Sequence, residues 1–410
     1  MKCAIVDAYG IGRFLPAALR RHGVEPLHVR SQFPDVHLSY EPADFEIDIQ
    51  HDGDLEATAA RLRELGVGFV VAAMESGVLL ADALSAALGT PGNGPSDPPA
   101  RRDKHRMVRA VERAGLAVAD SFASPHADEV VTWAETRGQW PVVLKPVASA
   151  GMDNVHFCHD AEDIRAAHAS IRAATDRYGR HNETALAQGF LDGDEYFVNT
   201  VSREGKHHIV EIWRYRKHRI DSNRSMVSNE HPVPFNDPDA KQVGEYALGV
   251  LDALEIRNGA AHTEIMQTAN GPVLVECGAR LGGAHLPDLV TRSIGTNQVD
   301  LLALAIARPE EVTAGRLPTY RLLNHVRFMN LIVPRDGVIP DEAGWQPVRD
   351  LESFLELVVT QPTGKRIERT VDLATSPGYM YLSHDDPDRL QADYERVREL
   401  ERTGLYEPNH

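Results

Sequence analysis

Cysteine is scarce in this chain. Cys3, Cys158 and Cys277 are its only thiols in 410 residues. None belongs to a Cys-x-x-Cys pair, and they form no even framework. That excludes a disulfide-stapled scaffold and is expected of a reducing cytoplasm. Positive charge is the second shortage. Lys and Arg number 43 against 60 Asp and Glu, a formal charge of −17. Such a surface is a poor partner for nucleic acid or an anionic membrane, and leaves room for a local basic pocket. Long apolar runs are the third. The most apolar stretch, Val67–Leu88, is interrupted by Glu75 and Asp82 and punctuated by Gly66, Gly68 and Gly77. It predicts a buried strand plus a helix, not a membrane span. The opening MKCAIVDAYG has no long apolar core and no cleavage site, so no signal peptide is expected. No internal repeat or low-complexity tract is found.

What is present is enough chain for two to three domains. Cys3–Asp7, the helical spacing over Arg13–His22 and Leu27–Val29 predict a βαβ opening of a doubly wound sheet. Gly10 and Gly12 suggest a dinucleotide fingerprint, but its third glycine is replaced by Leu15, which favours a structural tight turn over a nicotinamide site. A helix over Leu55–Leu65 and a strand over Val67–Ala73 follow. Glu75 then stands at the strand's C-terminal end, where ligand crevices form, or caps the helix Val78–Leu88. Pro98-Pro99 opens a new segment, with a helix over Arg101–Ala114 carrying Lys104. Lys145 ends an apolar strand, where a lysine is rarely buried without a partner, and a phosphate oxygen is a natural one. Ser149–Asn154 (SAGMDN) is either a small-residue loop over phosphates or a plain hairpin turn.

The most informative stretch lies between His262 and Leu286. Two short apolar runs, Thr263–Gln267 and Pro272–Cys277, flank Ala269-Asn270-Gly271, a turn signal. Each run carries one acid, Glu264 and Glu276. A three-residue loop pairs Thr268 with Pro272 and sets the acids directly opposite each other. A two-residue loop shifts the register by one and separates them. Two adjacent carboxylates invite a cation, and oxygen ligands of this kind suit Mg²⁺ beside substrate phosphates. Arg280 follows, and a guanidinium near a metal-bound phosphate is what phosphoryl transfer needs. His262, two residues before Glu264, also admits a His/Glu zinc site, though no third ligand has clear spacing.

This stretch resembles the metal-binding end of the ATP-grasp fold, where a Glu precedes a hairpin and a Glu-x-Asn-x-Arg segment follows it. Here that segment reads Glu276-Cys277-Gly278-Ala279-Arg280, with Gly278 where many members have Asn. The order Lys104, Lys145, the loop at 149–154, a hinge at 188–195, Glu264, Glu276, Arg280 extends the resemblance over roughly residues 1–305. It is greatest for the L-amino acid ligases of the bacilysin-synthetase type, on the ARLGGAHLPDLV segment and the long C-terminal extension.

The resemblance implies an α/β and α+β ATP-grasp fold. Residues 1–97 would be a Rossmann-like domain, and 98–310 the ATP-grasp domain with a lid at about 120–195. Residues 311–410 would be an α+β subdomain closing the site. It implies a ligase that activates a carboxylate with ATP as an acyl phosphate and joins it to the amine of an amino acid. Lys104, Lys145, Ser149, Gly151 and Met152 would hold phosphates. Gln188, Gly189, Phe190 and Leu191 would bind adenine, Glu195 would reach the ribose or the metal region, and Asn93 would shape the approach to the nucleotide. Glu264 and Glu276 would bind two Mg²⁺ ions, for which Mn²⁺ can substitute, and Arg280 would neutralise the transferring phosphoryl group. Glu75, Gly282, Gly283 and His285 would face the substrates. A homodimer is compatible with the resemblance. An ATP-dependent carboxylase, a nucleotide-binding regulator without turnover and, least of all, an oxidoreductase are the alternatives.

Overall fold

The structure is a computed structural model that describes residues 1–32, 41–148, 153–176, 179, 181–220, 225–283, 285–373 and 375–407. The chain divides into two compact units. The first holds residues 1–212, 235–291 and 296–320, and the second holds 213–234, 292–295 and 321–410.

The first unit opens on strands β1 (Lys2–Val6), β2 (Glu25–Arg30), β3 (Asp48–Gln50) and β4 (Val67–Ala72). They form a sheet of order β3-β2-β1-β4, and every described pairing in it is parallel. A parallel sheet needs both faces covered, which explains why β1 is a near-continuous apolar run rather than an alternating one. Helices Leu15–Arg21 and Leu55–Glu64 supply crossovers, and Val78–Leu88 follows β4. The glycines at 10 and 12 serve packing. Gly10 has φ +56°, and a Cβ on Gly12 would come 2.6 Å from the Ala73 Cβ. They form a 3₁₀ turn, Gly10–Phe14, so the expected helix over Arg13–His22 starts only at Leu15. Helix Gln298–Ala307 returns to this part of the unit, where Val299, Leu302 and Ile306 share a core with Leu15 and Leu19.

A four-stranded sheet of order β5-β8-β6-β7 follows, from β5 (Ser121–Ser124), β6 (Val142–Pro146), β7 (His156–Cys158) and β8 (Ala185–Gly189). Helices Ala127–Arg137 and Ala161–Ala173 cover one face through Val130, Ala134, Ile164 and Ile171. Next come β9 (Asp194–Arg203), β10 (Lys206–Arg219) and β11 (Ser225–Pro232). The residues of β10 up to Ile212 stay in the first unit. There they border β9, which pairs with β12 (Gly259–Thr268), itself paired with β13 (Gly271–Gly278). Helix Pro238–Ala253 starts at an Asp237 cap and contributes Val243, Ala247 and Val250 to the core.

The second unit contains the rest of β10, then β11, β14 (His325–Asn330), β18 (Gly378–His384) and β16 (Phe354–Val359), in that order. The short pair β15 (Gly337–Val338) and β17 (Arg366–Ile367) lies apart from them in its own sheet. Helix Pro387–Thr403 packs Leu390 and Val397 into a core with Met329, Met380 and Leu382.

The basic run from Arg214 through Arg219 is the second half of a 14-residue strand paired with β11, and 221–224 lie outside the described residues. The short helix Pro309–Thr313 follows helix Gln298–Ala307 directly. No helix among the described residues is long and apolar enough to cross a membrane.

Candidate active site

The β12–β13 hairpin organises the site. Thr268 pairs with Gly271, so the loop has two residues, Ala269 and Asn270, and not three. Gly271 adopts φ +107°, which only glycine reaches without strain. That register alone would separate the two acids. A β-bulge intervenes: Ile265 pairs with Leu274 and Glu264 with Glu276, which leaves Val275 as the extra residue. The bulge restores the pairing, and Glu264 faces Glu276 across the strands.

Two lysines converge on these acids. Lys104 follows the Asp103 N-cap of helix Lys104–Arg113, and its Nζ lies 2.8 Å from Glu276 Oε1. Lys145, near the end of β6, donates to the carbonyl of the bulged Val275 at 3.5 Å. Both side chains are buried. Burial and the Lys104 ammonium push the Lys145 pKa down to about 8, while Glu276, Glu264 and Glu195 pull it upward. Two buried ammonium groups beside three carboxylates make a site for an anion and its counter-cations.

Glu75 starts the 3₁₀ turn after β4 and is buried. It caps nothing. It pairs with Arg102 and, at 2.8 Å, with Arg280 Nε, whose Nη1 also donates to the Leu281 carbonyl at 2.8 Å. Burial opposes its charge, but the two guanidinium groups hold the carboxyl down at about 2. Gly278 leaves the space for this cluster: a Cβ there would lie 2.8 Å from Glu75 Oε2 and 3.2 Å from Arg280 Cζ. Beside it, Arg101 is almost fully buried and spans Asp82, the Leu254 carbonyl and the Gly94 carbonyl. Asn93 bonds Asp82 and accepts the backbone N–H groups of Arg257 and Asn258. It straps the loop after helix Val78–Leu88 to the turn before β12.

Beyond the acids, His262 Nε2 lies 3.4 Å from Glu264 Oε1, and its Nδ1 lies 2.7 Å from Asn199 Oδ1. Asn199 donates in turn to Glu211 at 2.7 Å. Among the described residues no three His, Cys, Asp or Glu side chains converge as a metal cage, so the zinc reading finds no third ligand. The Gly282 N–H does not wait for an anion: it donates to Gln298 Oε1 at 2.7 Å. Gln298 is anchored by the carbonyls of Thr200 and Ala261. Gly283 faces open space, and the buried His285 ring lies 5.5 Å from that of Phe197. The three cysteines are buried free thiols, and burial lifts Cys277 to about 12, far from a nucleophilic thiolate.

Residues 138–288 match the ATP-grasp domain family. The whole chain is similar to Dapdiamide A synthase from Enterobacter agglomerans, 31% identical over 97% of this chain and 95% of that protein. The chain belongs to the ATP-grasp carboxylate–amine ligases. An L-arginine-specific L-amino acid ligase from Bacillus subtilis is 22% identical over 78% of this chain and 76% of its own. The crystal structure of an L-amino acid ligase from Bacillus licheniformis has the same fold, with a TM-score of 0.74, 18% identity and 97% of both chains covered. The antiparallel β9–β12–β13 arrangement beside a parallel N-terminal sheet is that fold.

As an ATP-grasp ligase the chain needs a nucleotide site, and its residues fit one. Gln188 on β8 has a buried Nε2 with no hydrogen-bond partner among the described residues. Gly189 ends β8 against the Arg137 guanidinium, which a Cβ would approach to 2.5 Å. Phe190 is 42% exposed, with its ring 6.0 Å from that of Phe157, and Leu191 leads on toward Glu195 on β9. Ser149, Gly151 and Met152 lie outside the described residues. Sequence reasoning misses Arg102, Asn199, Glu211 and Gln298. Each is a polar residue at a buried position, and its partner is far away in the chain.

Proposed function

We propose that this ligase activates the carboxylate of an amino acid or small acyl acid as an acyl phosphate. It then joins that group to the amine of an amino acid, releasing ADP and phosphate. The observation that carries this reading is the convergence of Lys104, Lys145 and Glu195 on the facing pair Glu264 and Glu276. The printed names of the relatives, a dapdiamide synthase and amino acid ligases, support an amino acid as one partner.

In this scheme a carboxylate is a poor electrophile until its oxygen becomes part of a phosphate leaving group. Lys104 and Lys145 bind the phosphate chain as point charges, and Gln188 to Leu191 bind the adenine edge. Glu264 and Glu276 would hold Mg²⁺, which supplies neutralising charge on the phosphates when bound. Arg280, oriented by Glu75, holds the transferring phosphoryl group and then the acyl phosphate. The lid over residues 120–195 excludes water so that the amine, not water, attacks the acyl carbon. Phe197 and His285 form part of the wall around the substrates. The three buried thiols are consistent with a reducing, ATP-supplied cytoplasm.

The test is ADP and phosphate release from ATP and Mg²⁺ over a matrix of amino acids, singly and in pairs, with mass spectrometry of products. Release that needs a particular pair, with a product lighter than the pair by one water, is the expected result. Release that needs bicarbonate instead, or ADP binding without turnover for any pair, overturns it.

A further inference from the structure

The buried chain Glu211–Asn199–His262–Glu264 carries a second deduction. We infer that His262 is a nitrogen ligand to the divalent cation held by Glu264, with Asn199 and Glu211 as positioning residues that fix its ring. This rests on the proposed nucleotide–metal site and adds a ligand to it.

The argument is one of donors and acceptors. An ionised Glu211 accepts only, so the Asn199 group 2.7 Å from it is the amide NH₂. That turns the Asn199 oxygen toward His262, 2.7 Å from Nδ1. The proton therefore sits on Nδ1, and in the neutral ring Nε2 carries a lone pair. Nε2 points at Glu264 Oε1 over 3.4 Å. Two lone pairs facing each other at that distance repel. A cation between them turns the repulsion into coordination by one nitrogen and one oxygen.

The relay is built to hold that tautomer. Glu211, Asn199 and His262 are all buried, so water does not scramble their roles. A Cβ on Gly282 would come 2.8 Å from the Asn199 amide, which is packed in place, and the Phe197 ring lies 5.0 Å from the imidazole. A ring whose second nitrogen donates to a fixed oxygen, itself backed by a carboxylate, is the usual support of a metal-ligating histidine. His262 and Glu264 also share one face of β12, two residues apart. Since no closed protein cage exists among the described residues, the remaining positions fall to phosphate oxygens and water.

The test uses Mn²⁺ with ADP and the full chain. Pulsed electron paramagnetic resonance of the wild type is expected to show nitrogen hyperfine coupling from an imidazole, and His262→Leu to lose it. Mn²⁺ affinity of the ADP complex should fall roughly ten- to hundredfold in His262→Leu, and in the same direction in Glu211→Gln, whose amide releases the tautomer. Metal-free ADP affinity, by calorimetry, should be unchanged in both. Absence of nitrogen coupling in wild-type protein that binds Mn²⁺ and ADP overturns the inference and leaves an imidazolium–carboxylate pair in its place. That result stands even if a variant fails to fold. If the wild type does not bind ADP at all, the nucleotide reading itself falls, and this inference with it.

Discussion

Glu75 Oε2 and Arg280 Nε meet at 2.8 Å across 205 residues of chain, and Gly278 makes room for them. Glu75 spends its charge on Arg280 and Arg102, both buried or nearly so. It therefore fixes the guanidinium plane of Arg280, and in the proposed mechanism it acts on the reaction only through that residue.

Glu75→Gln is expected to lower kcat by about a hundredfold, the usual consequence of a misplaced catalytic group. ADP affinity should change far less, because the Glu75 carboxyl is paired with Arg102 and Arg280, and the proposed phosphate contacts are Lys104 and Lys145. Steady-state kinetics paired with calorimetry check this, and equal losses in kcat and ADP binding would refute it.

Acid should weaken the fold through the same residue. The Glu75 carboxyl sits at about 2 in the folded chain, against an ordinary value of 4.5. Its stabilising contribution is complete above pH 4.5 and disappears as pH falls toward 2. The shift corresponds to roughly 3 kcal/mol. Urea unfolding of wild type and Glu75→Gln should show a stability gap at neutral pH that closes with acid. A gap independent of pH contradicts the assignment.

Lys145→Met should weaken ADP binding by about 2 kcal/mol, roughly thirtyfold, the loss of one charge-assisted hydrogen bond. Only the ammonium form attracts phosphate. Wild-type affinity is therefore expected to hold below pH 8 and to decline as pH rises through about 8, where Lys145 titrates. Calorimetry across that range is the measurement, and the Lys145→Met variant should not show the decline.

Gly278→Ala places a Cβ 2.8 Å from Glu75 Oε2. It should destabilise the chain by about 1–3 kcal/mol, the range for overpacking. In a Glu75→Ala background the same substitution should cost less, since the clashing oxygen is gone. A double-mutant cycle with no coupling energy would show that the clash is relieved elsewhere.

Much of this is legible in the chain's pattern. Val78–Leu88 is a helix over the same residues that its apolar spacing predicts, and Lys145 near the end of β6 is buried as its apolar flank requires. For the facing of Glu264 and Glu276 the pattern leaves two registers open: a three-residue turn pairs the acids and a two-residue turn separates them. The turn has two residues, and a β-bulge at Val275 brings the acids together all the same. Bulges leave little trace in hydrophobic alternation. Strand β11 (SMVSNEHP) escapes for a related reason: it buries Ser228, Asn229 and Glu230, so its period carries no apolar signal. Arg102 reads as one more solvated helical charge, because the acid that buries it lies 27 residues away. The relay of Glu211 and Asn199 has no local signature, since its meaning depends on strands brought side by side.

The extra residue at Val275 has a bearing on how relatives of this chain are compared. A hairpin with one more residue in its turn and no bulge would bring the same two acids together. Two such sequences have equal length through this region, so an alignment without gaps would look natural. It would misplace the strand between turn and bulge by one position. Each inward side chain of that segment would then be matched to an outward one. Only a compensating pair of gaps, one at the turn and one opposite Val275, keeps Pro272, Val273 and Leu274 on their true faces.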